Sequence, residues 1–390
     1  MKFLKYMRNN LIQVSCLSLL FASLIGLTQC NSTGKSKNQM TQKPAYKIVG
    51  YVAGWSGMQI QNVDANKLTH INYAFADIDK GKIIMRLKTD SLNLVQLVGK
   101  KAQNPDLKVI ISIGGWAWSN WFSDAALTPE SRALFAGSAI ELMQKYKLDG
   151  IDLDWEYPGQ IGEDNGFRPE DKQNFTLLLQ EIRRELDELG TKSDQHYFLT
   201  IATGGDQQYI DHTELGEAQK YLDFINIMTY DFYSGLDSIT GHHANLNDSE
   251  KAPAISKSVQ ASVERHLKAG VPANKIVLGI PFYGRMWTGV TAQNNGLYQK
   301  AKSVGSIVDY NIVADKYLNK GFERFWDESA KAPYLWDRDS CRFISYEDTT
   351  SLALKLHFVE DKGLGGAMFW EYSLDKNSEL LNTINKYLKR

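Results

Sequence analysis

From residue 46 onward the chain alternates short apolar, β-branched runs with longer stretches whose apolar positions recur every three to four residues. The first pattern is that of buried strands and the second that of amphipathic helices. Eight apolar runs can be counted, at 48–55, 68–76, 108–114, 150–156, 197–203, 224–230, 276–283 and 366–370. Helical stretches stand between them at 131–147, 169–189, 256–269 and 349–362. Strands that alternate with helices pair in parallel, and eight such units close into an α/β fold, the (β/α)8 TIM barrel, whose reactive groups sit at the C-terminal ends of its strands. The connection between the seventh and eighth runs is too long for one helix. It holds a turn signal at Asn294, Asn295 and Gly296, together with Tyr298, Tyr310, Tyr317, Phe322, Phe325 and Trp326, rings that a bare loop would strand in water. A small α+β insertion at 287–345 is expected there, inside a barrel at 47–390 that follows a leader at 1–30 and a polar tether at 31–46.

The fourth run departs from the apolar pattern, with Asp149, Asp152, Asp154 and Glu156 falling in eight residues. Alternate residues of a strand share a face, so Asp152, Asp154 and Glu156 point one way while Ile151, Leu153 and Trp155 point the other. At about 3.3 Å per residue the row spans about 13 Å, with Glu156 at the strand's end and Asp152 deep beneath it. Carboxylates so close cannot all ionise in a low dielectric, and a proton shared along the row leaves one acid ready to donate. Asp-x-Asp also occurs in calcium loops. Here the sixth position counted from Asp149 is Asp154 instead of glycine, and the intervening residues are large and apolar.

Composition narrows the ligand. With 44 Lys and Arg against 45 Asp and Glu, the net charge of -1 leaves no basic footprint for nucleic acid, and a neutral or weakly charged ligand fits better. Nine Trp, 19 Tyr and 16 Phe exceed what a modest core requires, and aromatic faces with polar rims suit sugar rings. At the N-terminus Lys2, Lys5 and Arg8 precede an apolar stretch at 11–27 that is short and interrupted by Gln13, Ser15 and Ser18, an export leader rather than a membrane span. Its end, Leu27, Thr28, Gln29 and Cys30, resembles the lipobox of bacterial lipoproteins, in which the cysteine is acylated. The expected location is the bacterial cell envelope, periplasmic or at the surface, with membrane contact through Cys30 alone and plain secretion as the alternative. Cys16 lies in the leader, so Cys341 remains, expected to be a small buried apolar residue without a disulfide partner.

Motifs at several strand ends then point to one family. Asp149, Asp152, Asp154 and Glu156 match the DxxDxDxE signature of family 18 glycoside hydrolases, and Trp155 with Tyr157, Pro158 and Gly159 resembles its chitinase branch. Segments 72–75, 112–116, 228–231, 279–285 and 366–370 are similar to the family's second, third, sixth, seventh and eighth strands. The resemblance runs from about residue 48 to the C-terminus and includes an insertion like that of the larger chitinases. It implies hydrolysis of β-1,4 bonds between N-acetylglucosamine units of chitin or chitooligosaccharides, with retention, by a monomer that needs no cofactor and no metal. Family 18 is a substrate-assisted exception to the two-carboxylate rule, so the sugar's own 2-acetamido oxygen is the nucleophile. The resemblance makes Glu156 the general acid and base, has Asp154 orient the acetamido group and has Tyr230 fix its oxygen. Tyr51 and Ser112 would hydrogen-bond Asp152, Trp370 would form the floor under the sugar being cleaved, and Trp116 would stack on its neighbour. Phe75, Gly115, Met228, Asp231, Tyr283 and Arg285 would line the same cleft, with His242 and His243 structural or flanking the substrate. An endo-β-N-acetylglucosaminidase acting on N-glycans or peptidoglycan, and a chitin-binding lectin on the same barrel, are the alternatives.

Overall fold

The computed structural model describes residues 46–389 except 164 and 254–256. The leader, Cys30 and all but the last residue of the tether lie outside the described residues. Fourteen strands are seen among the described residues: β1 Lys47–Ala53, β2 His70–Asp79, β3 Lys82–Ile84, β4 Lys108–Gly114, β5 Gly150–Asp154, β6 Phe198–Gly204, β7 Phe224–Met228, β8 Ile276–Pro281, β9 Tyr283–Thr288, β10 Ser306–Asp309, β11 Glu323–Asp327, β12 Ala332–Asp337, β13 Arg342–Ser345 and β14 Gly366–Trp370. Strands β1, β2, β4, β5, β6, β7, β8 and β14 pair in parallel in that order, and β14 pairs back to β1. That closure is the (β/α)8 barrel the periodicity predicts.

Period-two alternation sorts the strand residues between two cores. Ile151, Leu153 and Trp155 pack outward into the large cluster under the helices, where Trp155 stacks on Phe122 at 5.2 Å. Val49, Tyr51, Ala74, Ile110, Phe224, Val277 and Met368 fill the barrel's interior. Helices Pro129–Tyr146, Asp171–Ser193, Val259–Lys268 and Thr349–Asp361 stand within a few residues of the predicted stretches. The first begins where Thr128 and Ser131 cap each other's backbone N–H groups with Pro129 at the first helical position, a start signal legible in sequence. Helices Asp90–Gly99 and Glu379–Leu388 were not foreseen. In the former Leu94 and Leu97 are buried while Leu92 and Val95 are exposed, so apolar residues on both faces blur the periodicity.

The seventh apolar run, expected as one strand over 276–283, is broken in two. Pro281 cannot extend a ladder as a donor, and the buried Phe282 stacks on Phe369 at 4.2 Å in the cluster outside the barrel. Beyond it β9 leaves the barrel for a second, antiparallel sheet in the order β10-β9-β13-β12-β11, so the insertion starts at Tyr283 instead of 287. That sheet has its own core of Trp287, Leu297, Tyr334, Trp336 and Phe343. Cys341 is not the buried residue expected. It sits partly exposed in the hairpin turn before β13, with backbone in the left-handed region and Sγ 3.6 Å from the Arg338 carbonyl oxygen. No helix among the described residues is long and apolar enough to cross a membrane.

Candidate active site

Strand register assembles the lowest part of the site. Parallel pairing sets Ser112 of β4 beside Asp152 of β5 and Asp152 beside Thr200 of β6. The Ser112 hydroxyl donates to Asp152 Oδ2 at 2.7 Å, and the Thr200 hydroxyl donates to Oδ1 at 2.5 Å. Tyr51 reaches across from β1 and donates to Oδ2 at 2.9 Å, while Asn226 Nδ2 donates to the Tyr51 oxygen at 3.3 Å. Burial pushes the Asp152 carboxyl up, and these hydroxyl donors pull it back by stabilising its charge.

Asp154 lies two residues further up the same face, buried, and its Oδ1 has no hydrogen-bond partner among the described residues. Desolvation first, then the neighbouring Glu156 and Asp152 charges, push its carboxyl well above the usual range. The strand ends at Asp154, two residues earlier than expected, and Glu156 is held by its peptide instead. The Glu156 N–H donates to the Ser119 hydroxyl at 2.9 Å, and its carbonyl accepts from Asn165 Nδ2 at 3.3 Å. Burial raises the Glu156 carboxyl to about 7, against a hydrogen bond from Tyr157 and with a further push from Asp231. The two interacting acids here share one protonation equilibrium.

Other strand ends supply the walls. Trp370 lies over Phe75 with nearly parallel rings 5.5 Å apart and 5.6 Å from Tyr51. Trp55, half exposed, joins this group at 5.9 Å from Phe75 and 6.2 Å from Trp370. Gly114 and Gly115 both take positive φ, and a Cβ on Gly115 would come within 2.3 Å of the Phe75 ring. A Cβ on Gly114 would come within 2.4 Å of the Asp154 carbonyl oxygen, which accepts the Gly115 N–H at 2.7 Å. Trp116 follows on the loop, exposed and edge-on to Tyr157 at 6.4 Å. Across the mouth Met228 ends β7, and Tyr230, two residues beyond it, meets Tyr283 at 6.1 Å. Asp231 accepts from Tyr283 at 2.8 Å and from Arg285 through two nitrogens at 2.7 Å each. Burial would raise its carboxyl, but His243 at 3.8 Å and the paired guanidinium hold it at about 2. His242 is buried on Asp327 at 3.2 Å. Among the described residues no three His, Cys, Asp or Glu side chains are grouped to hold a metal ion.

This geometry sits inside a stretch that a family model recognises. The model for "Glycosyl hydrolases family 18" matches residues 47–375. The chain belongs to this family. Among its relatives, Chitinase A1 of Niallia circulans is 41% identical over 87% of this chain. That match spans 58% of the relative's length. Among solved structures, a family 18 N-acetylglucosaminidase from Paenibacillus barengoltzii superposes with a TM-score of 0.82 at 43% identity, covering 88% of this chain and 100% of that one. A chitinase from Bacillus thuringiensis superposes with a TM-score of 0.85 at 37% identity, covering 88% of this chain and 70% of that one.

All fourteen residues named from the sequence as catalytic or substrate-binding lie on the barrel's interior face or on the loops and strands at its C-terminal mouth in this family 18 chain. Five contributors were missed, among them Asn226 behind Tyr51. Thr200 is a polar residue inside an apolar run, but the register that sets it beside Asp152 is fixed by the sheet as a whole. Ser119 and Asn165 meet Glu156 through its backbone groups, and no side-chain pattern announces such a role. Trp55 lay inside the first run as an ordinary apolar residue.

Proposed function

We propose that this chain hydrolyses β-1,4 bonds between N-acetylglucosamine units of chitin or chitooligosaccharides, with retention, using the substrate's own acetamido group. The observation that carries this reading is the buried row Asp152, Asp154, Glu156, with Glu156 held near 7 and Asp154 Oδ1 unpartnered beside it. Glu156 enters the reaction as an acid and protonates the glycosidic oxygen while the acetamido oxygen attacks C1, forming an oxazolinium ion. Asp154 offers its spare oxygen to the acetamido N–H and opposes the developing positive charge. The Tyr230 hydroxyl, whose pKa is driven well above 10 by burial and by the Asp154 and Glu156 charges, stays protonated and donates to the acetamido oxygen. Glu156, now a carboxylate, activates the water that opens the ion from the opposite face. Trp370 and Trp116 carry sugar rings on either side of the cut, and the names of the relatives support chitin as the polymer.

A second reading, release of single N-acetylglucosamine units from a chain end, is favoured by the likeness to the Paenibacillus N-acetylglucosaminidase. Monomer as the first product from chitohexaose would select it over dimer-releasing or internal cleavage. The leader and Cys30 support an exported, lipid-anchored protein. The reaction itself is tested by comparing fully N-acetylated hexasaccharide with its N-deacetylated counterpart. Hydrolysis of the first alone is expected, whereas comparable rates on both would remove the acetamido group from the mechanism.

A further inference from the structure

Asn72 is a polar residue in the middle of the apolar strand β2. Period two turns it into the barrel with Ala74, while Ile71 and Tyr73 pack outward under the helices. Register sets it beside Tyr51 of β1. It is fully buried, yet neither its Nδ2 nor its Oδ1 has a hydrogen-bond partner among the described residues. An unpaired buried amide weakens a fold, so its retention calls for a role. Asn226, the other amide beside Tyr51, is anchored by its Nδ2 donating to the Tyr51 oxygen at 3.3 Å. Asn72 stands near enough to Tyr51 and Asp152 to favour the ionised form of each, with no bond closed to either. Asp152 already accepts hydroxyls from Tyr51, Ser112 and Thr200. A carboxylate has about four acceptor sites, which leaves one for a further donor. The other side chains that face Asp152 do not compete for that place. Tyr51 and Asp154 titrate, Ser112 and Thr200 do not, Tyr230 beyond β7 only feels the Asp152 charge, and β8 and β14 present the apolar Val277 and Met368.

We propose that Asn72 is a positioning residue for the reaction, whose Nδ2 closes on Asp152 when that carboxyl is ionised and so keeps the carboxylate row negative as the oxazolinium ion forms above it. This role rests on the reading of the site as a hydrolase that uses the substrate's acetamido group. Hydrogen bonds of this kind are often open before substrate binds and tighten in the complex. A donor to the ionised form favours ionisation, so without Asn72 the row loses its charge at a higher pH. Asn72→Leu keeps the branching of the side chain and removes the donor, and Asn72→Ser serves if the leucine variant does not fold. The rate on chitohexaose is followed against pH for variant and wild-type proteins. The expected result is a kcat about tenfold lower at the acid end of the profile, the worth of one hydrogen bond to a charged group, with kcat at the plateau and KM each within twofold of wild type. An acid limb that does not move would overturn the proposal, as would a loss equal at every pH, which would make Asn72 a packing residue. If the wild-type protein cleaves no chitohexaose at any pH, the hydrolase reading falls, and carbon-13 NMR of the aspartate carboxyls still decides the contact. Titration of Asp152 at a higher pH in the variant would support it, and titration at the same pH would overturn it.

Discussion

Glu156 is a carboxylic acid kept where its charge is costly, and that cost has two consequences of opposite value. Because burial lifts its pKa from 4.5 to about 7, the proton needed by the leaving group is still bound in neutral solution. The activity limb at high pH should follow. A plot of kcat/KM against pH is expected to fall above an apparent pKa of about 7, an apparent value belonging to the Asp154 and Glu156 pair jointly. A flat profile to pH 9 would contradict this. For stability the sign reverses. A folded-state pKa above the unfolded one penalises the folded form once the unfolded carboxyl has ionised, so the penalty grows above pH 4.5 and is complete above about 7. Converted at about 1.4 kcal/mol per pH unit, it reaches about 3 kcal/mol. Glu156→Gln should therefore melt at a higher temperature than the wild-type protein at pH 8 and at an equal temperature at pH 4, with a lower Tm at pH 8 the contrary result. Asp154→Asn keeps the shape but removes the charge that would oppose the oxazolinium ion. A loss in kcat of about 100-fold or more with KM changed little is expected, and undiminished turnover would dismiss its orienting role.

At the scale of elements, the site depends on how strands and loops are registered. The sequence alone showed which face of β5 carries the acids, because period two needs no partner. It could not show that Thr200 stands beside Asp152, since register between strands is set by the packing of the whole sheet. Nor could it show the grip on Glu156, which is side chain to backbone across 37 residues for Ser119 and 9 for Asn165. Ser119 is fully buried and also donates to the Gly115 and Asp154 carbonyls, so one hydroxyl ties β4's end to β5's end. Ser119→Ala leaves the Glu156 N–H without its acceptor. A roughly tenfold fall in kcat with KM within twofold is expected, measured well below the variant's Tm because the lost bond also costs about 1–3 kcal/mol of stability. A kcat equal to wild type would reduce Ser119 to a structural residue. The break between β8 and β9 has the same origin as the other misses. Pro281 and Phe282 read as a continuing apolar run, and only the Phe369 ring waiting beneath explains the turn.

The whole molecule was more legible than its joints. Eight apolar runs separated by helical stretches suffice to call a barrel, because parallel strands with buried faces on both sides leave an unbroken apolar signal. The second sheet was visible only as a surplus of aromatic residues, and its start was misplaced because β9 serves both as the barrel's continuation in sequence and as an inner strand of the new sheet, paired to β10 and β13. That dual service matters to the site. Tyr283 and Arg285 come from β9, so the inserted sheet and the barrel jointly hold Asp231 at the mouth. The central claim, that Glu156 protonates the bond while the substrate's acetamido group performs the displacement, is tested most directly by following chitohexaose hydrolysis by proton NMR with wild-type and Glu156→Gln proteins side by side. β-Anomeric product should accumulate first, and the variant should be slower by about 100- to 10,000-fold, the usual contribution of general-acid catalysis. Early α-anomeric product, or a variant within a few-fold of wild type, would contradict it.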